Sequence, residues 1–421
     1  MRILLYAPAL PGHPQVYCRV IGDVLLEAGH EVVLASAIDE AGWPAQWPDL
    51  RPFAANARVQ IVDVRRRSAG GRPELSAEEM RTLQEDFRID STLLVEADYF
   101  AGELRRIADK QAPRLRGRTV GIFARTSGWF PRENDYGGAP EPRIWGGGPR
   151  ASLGRLKNLA WPGRDTAAYL YRIVLLRRRA LDAVVVKDER IAERFGPPVF
   201  WMPEIYKVFG AREDERRRGD GEAFAEPMRK FVDRAGSANV LLYFGTGAWY
   251  KGYDLFLRLA DVEPSIFALH AGAPERREPG KIMAYDTAGI RERLLHQGRL
   301  FETNAYVESE KLVRLAFGSI ERFVSTHRLT LSSGTTLQAL DAGKPVLTPA
   351  LGLVGYRTRR YHLGLTYRYF DDGDLAAKWR EFRQMPSAAF ARPIADFMKR
   401  FGRDEVARTF RALLLGEGGG A

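Results

Sequence analysis

The amino-terminal part of the chain begins with a continuous apolar run and continues with a helical stripe. The run at 3–7 is typical of a strand that is buried on both faces. Apolar residues then recur every four positions over 16–28, which predicts a helix that ends at Gly29. A second apolar run at 31–35 predicts the next strand. This part of the chain is therefore expected to form a strand–helix–strand unit.

Further strand signals follow along the chain. They lie at 59–64, 91–96, 119–123, 183–186 and 240–245. Helical patterns separate several of them, and strands that alternate with helices indicate a mainly parallel sheet with helices on both faces. Because 421 residues exceed the size at which a single core usually stops growing, we expect two such sheets.

Composition marks the boundaries between the expected domains. The segment 206–237 contains a charged run, which is typical of a solvated linker with one helix. We therefore expect a first α/β domain at 1–205 and a second at 238–385. Helical patterns without a strand occupy 386–421, whose last residues are glycine-rich and expected to be disordered.

The segment 332–349 combines a helix start with a strong stop signal. Ser333 and Gly334 supply a polar cap and an unhindered backbone, so the first free amides of the helix can point at a bound phosphate. Gly343 and Pro345 then end the helix before the next strand. An ordinary helix–strand connection has the same features, so both interpretations stay open on this segment alone.

Two motifs resemble those of glycosyltransferases with the B-type fold. Residues 338–346 resemble the family's glutamate-alanine-x-x-x-glycine-x-proline-valine segment, which holds the donor nucleotide-sugar. The strand at 240–245, followed by Lys251, resembles the glycine-arginine…lysine-glycine element, whose basic residues contact the donor diphosphate. The resemblance covers most of 238–375, and the sequence at 29–32 also resembles the family's first strand–helix–strand unit. It implies two Rossmann-like parallel-sheet domains that face a cleft, with terminal helices that cross back onto the first domain.

The resemblance implies a donor site in the second domain. We expect this site to include Gly245, Thr246, Lys251, His327, Ser333, Gly334, Thr335, Thr336 and Gln338. Three of the four charged residues typical of the site are replaced: Thr246 stands in place of an arginine, and Thr330 and Gln338 stand in place of two glutamates. Lys251 and the polar groups of 333–336 can still stabilise a departing diphosphate without a metal.

The acceptor and the catalytic base are expected in the first domain. His13 follows the first strand in a turn, at the edge where open α/β sheets bind ligands, and a similar glycine-histidine turn carries the base in inverting members of the resembling group. Glu96 and Asp98, at the end of the strand at 92–95, are the alternative acids. The competing interpretations are a solvent-facing or capping histidine and purely structural carboxylates.

An irregular stretch rich in aromatic residues, glycine and proline occupies 127–149. It is longer than an ordinary connection, which favours a functional loop. We expect Trp129 and Trp145, together with Gly12, to form the acceptor side of the site. The alternative is a surface excursion whose aromatic residues seal the first domain.

The chain is basic, with 64 Lys and Arg residues, 53 Asp and Glu residues and a net charge of +11. Such a surface attracts nucleotide diphosphates, lipid-linked acceptors and anionic bilayers. The segment 168–179 has the aromatic, apolar and basic parts of an interfacial helix, although an internal helix before the strand at 183–186 fits as well. Basic residues are spread along the chain without a recognised reader motif, so no nucleic-acid partner is expected.

Compartment and cofactors are predicted from features that the sequence lacks. It shows neither a secretory signal nor an apolar stretch long enough for a membrane span. Cys18 is the only cysteine and the six histidines show no close-spaced pair, so neither a metal site nor a cofactor is expected. A cytoplasmic protein is predicted, in contact with the inner membrane surface if 168–179 is interfacial.

The resemblance, together with the features described above, implies a metal-independent glycosyltransferase of the kind used in polysaccharide biosynthesis. It would move a sugar from a nucleotide-sugar to a glycan, lipid-linked or small-molecule acceptor. Two alternatives remain open. One is a nucleotide-sugar epimerase that uses the same double-sheet cleft, and the other is a non-catalytic nucleotide-sugar-binding protein, which the replaced charges make credible.

Overall fold

The computed structural model describes residues 1–8, 13–38, 50–123, 180–206, 221–276, 283–305, 307, 310–328, 333–369 and 371–415. Contacts divide the chain into two compact units. The first unit comprises Met1–Pro131, Leu156–Ala211 and Arg400–Ala421, and the second comprises Arg132–Arg155 and Arg212–Lys399. Each unit is built from parallel strands and helices.

The first unit contains a parallel sheet of seven strands within the described residues. These strands are Arg2–Tyr6 (β1), Glu31–Ser36 (β2), Val59–Asp63 (β3), Ser91–Leu94 (β4), Arg118–Phe123 (β5), Ala183–Val186 (β6) and Val199–Trp201 (β7). Their order is β3-β2-β1-β4-β5-β6-β7, and every neighbouring pair is parallel. The strand order therefore reverses between β1 and β4, which is where open α/β sheets bind ligands.

Helices cover this sheet and bury their apolar stripes on it. They are His13–Glu27 (α1), Arg51–Ala54 (α2), Ala77–Asp86 (α3), Ala101–Ala108 (α4) and Glu189–Phe195 (α5). The predicted stripe of α1 lies in the core, where Ile21 and Leu25 are fully buried. Gly29 has φ +86, so the chain turns into β2 through a conformation that favours glycine.

The second unit contains two sets of three parallel strands. The strands are Val240–Phe244 (β8), Phe267–Ala271 (β9), Leu300–Glu302 (β10), Phe323–Val324 (β11), Val346–Pro349 (β12) and Gly364–Tyr367 (β13). Their orders are β10-β9-β8 and β11-β12-β13, and β8 lies beside β11. Taken together they follow the Rossmann order, with the reversal between β8 and β11.

Eight further helices in the described residues belong to the second unit. They are Gly221–Ala235 (α6), Tyr253–Val262 (α7), Thr287–His296 (α8), Glu310–Gly318 (α9), Gly334–Asp341 (α10), Gly352–Arg360 (α11), Asp372–Gln384 (α12) and Ala391–Met398 (α13). Helix α10 is the two-turn helix predicted from the sequence. Gly343 follows it with φ +71, as its stop signal indicated.

The carboxyl-terminal helices are divided between the two units. Helix α13 packs on α10 in the second unit. The last helix, Arg403–Leu415 (α14), packs on α1 in the first unit, where Ser91 Oγ donates a hydrogen bond to the carbonyl of Leu414 at 3.1 Å. The contacts thus assign the chain from 400 onward to the first unit.

Two other expectations from the sequence concern the linker and a membrane-spanning helix. Helix α6 lies within the segment 206–237 that was expected to be a linker, and it belongs to the second unit. Among the described residues, no helix is both long enough and apolar enough to cross a bilayer.

Candidate functional site

The turn after β8 holds the side chain of Lys251 against a glycine. Gly245 has φ +99, and a Cβ at this position would lie only 2.5 Å from Lys251 Nζ, so glycine is what lets the ammonium approach. Burial lowers the pKa of Lys251. Within the described ranges, its ammonium forms no hydrogen bond or ion pair. A partly buried cation without a counterion favours binding of an anion.

A buried ion pair fixes this turn beside the segment that follows β11. Arg328 Nη2 lies 2.6 Å from Asp254 Oδ2, and both side chains are buried. Arg328 Nη1 also donates to the carbonyl of Trp249 at 2.7 Å. Thr326 Oγ1 donates to the carbonyl of Lys251 at 2.9 Å. The backbone of Lys251 is therefore held at the reversal point between β8 and β11.

His327 lies in the segment that follows β11, and its imidazole ring is neutral. Burial and the positive charge of Lys251 lower the pKa of His327 to about 3. Its Nδ1 is 3.1 Å from Ser325 Oγ. A neutral ring that accepts this hydroxyl proton at Nδ1 carries its own proton on Nε2. Nε2 forms no hydrogen bond with another residue in the described part, so it can donate to a ligand.

The first turn of α10 presents a second set of donors. Ser333 caps the helix by accepting from the amide of Thr336 at 3.2 Å, and its hydroxyl lies 2.9 Å from Thr335 Oγ1. The amides of Gly334 and Thr335 have no acceptor among the residues the structure describes. Gln338 is partly exposed on the same helix. Amides without an acceptor at a helix N-terminus favour binding of an anion.

Gly334 offers a test of this helix end. A Cβ at Gly334 would meet no atom of a described residue within 4 Å, so Gly334→Val should leave the fold intact and obstruct only a ligand at the amides. We expect a loss of nucleoside diphosphate affinity of roughly 10-fold or more, the scale of one hydrogen bond to a charged group. Titration calorimetry with UDP measures it. Gly102→Val is the control, because Gly102 lies in the first turn of α4 with the same open space. Normal UDP binding by Gly334→Val would show that this segment is an ordinary helix–strand connection.

A small cavity lies beside this first turn, and it contains a residue that sequence reasoning missed. Its walls include Ser333 and Thr336 from α10 and Arg357 from α11. Thr336 Oγ1 is buried without a hydrogen-bond partner in the described part of the chain. Arg357 is buried as well. No local pattern marks Arg357, because α11 ends in several arginines and only packing distinguishes the buried one.

The three candidates for catalysis lie in the first unit. His13 is the first residue of α1, whereas the sequence placed it in the preceding turn. Glu96 follows β4 with φ 61, a left-handed conformation that is uncommon for a residue with a side chain. Asp98 lies two residues further on. Since β1 and β4 are neighbours, His13 and these acids follow adjacent strands at the reversal point of the sheet.

A buried lysine near Glu96 was also missed from the sequence. Lys187 follows β6, and its ammonium lies 4.8 Å from the ring centre of Tyr17. Burial alone would lower the pKa of Lys187, but Tyr17, Glu204 and Glu96 outweigh burial and raise it. Lys187 therefore stays charged at this edge of the first sheet. An apolar run that precedes a lysine gives no sign that the lysine is buried.

Several expected site residues lie outside the described residues, namely Gly12, Trp129, Trp145 and the side chain of His13. Thr330 and the segment 168–179 also lie outside the described residues. In the part of the chain that is described, no group of three or more His, Cys, Asp or Glu side chains could hold a metal ion.

Comparison with known proteins finds similarity in structure and none in sequence. No protein-family model matches the chain, and no curated protein sequence matches it significantly. A glycosyltransferase from Rickettsia africae matches with a TM-score of 0.59 at 12% identity, over 99% of each chain. A sucrose-phosphate synthase from Thermosynechococcus elongatus matches with a TM-score of 0.58 at 14% identity, over 98% of each chain.

A third match is the Anabaena protein HepE in complex with UDP, with a TM-score of 0.57 at 11% identity. The alignment covers 97% of this chain and 98% of HepE. At such low identity these likenesses establish the fold alone. The chain has the B-type glycosyltransferase fold with two Rossmann-like α/β domains, which confirms the fold expected from the sequence.

Proposed function

We propose that this protein is a glycosyltransferase that moves a sugar from a nucleotide-sugar to a hydroxyl of a glycan, lipid-linked or small-molecule acceptor. The second unit would bind the donor, and the first unit would bind the acceptor. The observation that carries the proposal is the ammonium of Lys251, held at the reversal point between β8 and β11 with no counterion among the described residues. Because HepE, which has the same fold, has been solved with UDP and with UDP-glucose, uridine nucleotides are the first donors to test.

The proposed donor site stabilises a departing diphosphate with the protein's own groups. Lys251 supplies a positive charge, His327 supplies a neutral N–H donor, and the first turn of α10 supplies the amides of Gly334 and Thr335, which have no acceptor among the described residues. Contacts of this kind to a charged group contribute about 1.5–3 kcal/mol each. We therefore propose that the reaction proceeds without a metal ion.

The proposed reaction is the attack of the acceptor oxygen on the anomeric carbon. A base in the first unit, His13 or Glu96, takes the proton of the acceptor hydroxyl. The acceptor oxygen forms a bond to the anomeric carbon as the bond between that carbon and the diphosphate oxygen breaks. The leaving electron pair stays on the nucleoside diphosphate, where Lys251 stabilises the charge.

Lys251→Met is expected to lower UDP affinity by about 10- to 100-fold, since it removes one charge-assisted contact. The affinity for uridine, which has no phosphate, should not change. Calorimetric titration measures both ligands. Lys230→Met is the matched control, because Lys230 is an exposed lysine on α6 of the same unit. Unchanged UDP affinity in Lys251→Met would remove Lys251 from the site.

An activity screen tests the function itself. Nucleotide-sugars that bind the folded protein raise its melting temperature, so a thermal screen identifies the donor. Incubation of that donor with candidate acceptors should then yield nucleoside diphosphate and a glycoside. An altered sugar without a glycoside would instead indicate an epimerase. Binding through Lys251 without any turnover would indicate a non-catalytic nucleotide-sugar-binding protein.

A further inference from the structure

We propose that Arg357 supplies a second positive charge to the donor diphosphate, at a phosphate site that it shares with the first turn of α10. This inference rests on the proposed function, because its ligand is the diphosphate of the donor. Lys251 is the cation that the sequence motif indicates. Arg357 belongs to no motif and is identified by its position alone.

The first argument is where Arg357 lies. It is 5% exposed, and it lines the cavity that Ser333 and Thr336 also line. Helix α10 follows β11 and α11 follows β12, so both helices begin at the carboxyl edge of neighbouring parallel strands. Side chains in a helix lean toward its N-terminus. Arg357 lies in the second half of α11, and its side chain reaches the cavity beside the first turn of α10.

The second argument is an unsatisfied hydroxyl in the same cavity. Thr336 is 5% exposed, and its Oγ1 has no hydrogen-bond partner among the described residues. Leaving a buried hydroxyl unpaired is unfavourable, so such groups usually have a partner in the functional state. A phosphate oxygen can accept from this hydroxyl. The cavity has room for about one water-sized group, which suits one phosphate oxygen rather than a whole phosphate.

The third argument is charge. A nucleoside diphosphate carries more than one negative charge, and Thr246 stands where the resembling enzymes have an arginine. The amides of Gly334 and Thr335 add only the partial charge of the helix end. A guanidinium forms charge-assisted hydrogen bonds to a phosphate oxygen. Thr246, in the first half of the unit, provides no charge. Arg357, in the second half of the unit, would provide the missing positive charge.

The test compares phosphate-bearing and phosphate-free ligands in Arg357→Met. We expect the affinity for UDP to fall about 10- to 100-fold in calorimetric titrations, while the affinity for uridine stays within about two-fold. Arg357→Lys keeps the charge and should retain part of the UDP affinity. Arg360→Met is the control, because Arg360 is exposed on the same helix.

Each outcome decides between this inference and its alternatives. An equal loss of UDP and uridine affinity in Arg357→Met would show a purely structural role and overturn the inference, as would unchanged UDP affinity. If Arg357→Met does not fold, Arg357→Lys and Thr336→Val take its place: both must lower UDP affinity and spare uridine. UDP binding that depends on Lys251 and not on Arg357 would overturn this inference alone. If the wild-type protein binds none of UDP, ADP and GDP, that result overturns the proposed function, and this inference with it.

Discussion

His13→Ala is expected to lower kcat by about 100- to 10,000-fold, the usual scale of a positioned general base. His13 begins α1, the helix that follows β1 at the reversal point of the first sheet. The proposed donor groups lie in the other unit, so the affinity for the nucleoside diphosphate should stay nearly constant. Steady-state kinetics with the identified donor and acceptor, together with calorimetric titration of UDP, separates the two effects.

The matched control for this variant is His296→Ala, which removes an exposed histidine from α8. It should leave both kcat and UDP affinity unchanged. If His13→Ala has full activity in a demonstrated transferase, the base is elsewhere. Glu96→Gln and Asp98→Asn then become the decisive variants, since both acids follow β4 at the same edge.

Asp254→Ala is expected to lower the free energy of unfolding by about 3–5 kcal/mol, because it leaves the charge of Arg328 buried without its partner. Asp254 Oδ2 also accepts from the amide of Ala284 at 2.7 Å, so a second bond is lost. Arg328 holds the turn that carries Lys251, so UDP affinity should fall as well. Urea unfolding measures the first effect, and calorimetry at a temperature where the variant is folded measures the second.

Asp261→Ala provides the control on the same helix. Asp261 pairs with Arg293 at 3.0 Å closer to the surface, and such pairs contribute about 0–1 kcal/mol. A loss in Asp254→Ala as small as in this control would contradict the structural role of the buried pair. The double variant Asp254→Leu with Arg328→Met removes both charges and should recover part of the stability. Its UDP affinity should stay low if the pair positions Lys251.

Local pattern explains which parts of the fold could be predicted from the sequence. Strands β1, β2 and β8 are each built around an apolar run, and α10 is bounded by a polar cap and a glycine stop, so each carries its signal within a few residues. Strand β11 has only two residues. Strands β7 and β10, of three residues each, are too short to show a period.

In the candidate site as well, some features could be predicted from local sequence and others could not. The positions of Lys251 in a turn after a strand and of Ser333 at a helix start follow from local sequence. The burial of Arg357 and Lys187 does not, because it depends on helices and strands that are distant in sequence. Charged residues are usually exposed, so a sequence pattern alone assigns both to the surface. Only the packed structure shows that they face cavities and other charged groups.

The assignment of α14 to the first unit has a consequence for the order in which the chain can fold. Val406, Phe410 and Leu414 of α14 are fully buried in the core that contains β1 and α1. During synthesis, the strands of the first unit emerge early, but this side of their core stays open until 403–415 have left the ribosome. The whole second unit is made in between. Nascent chains of the first unit should therefore depend on chaperones for longer than those of the second, and fragments that end before 403 should aggregate.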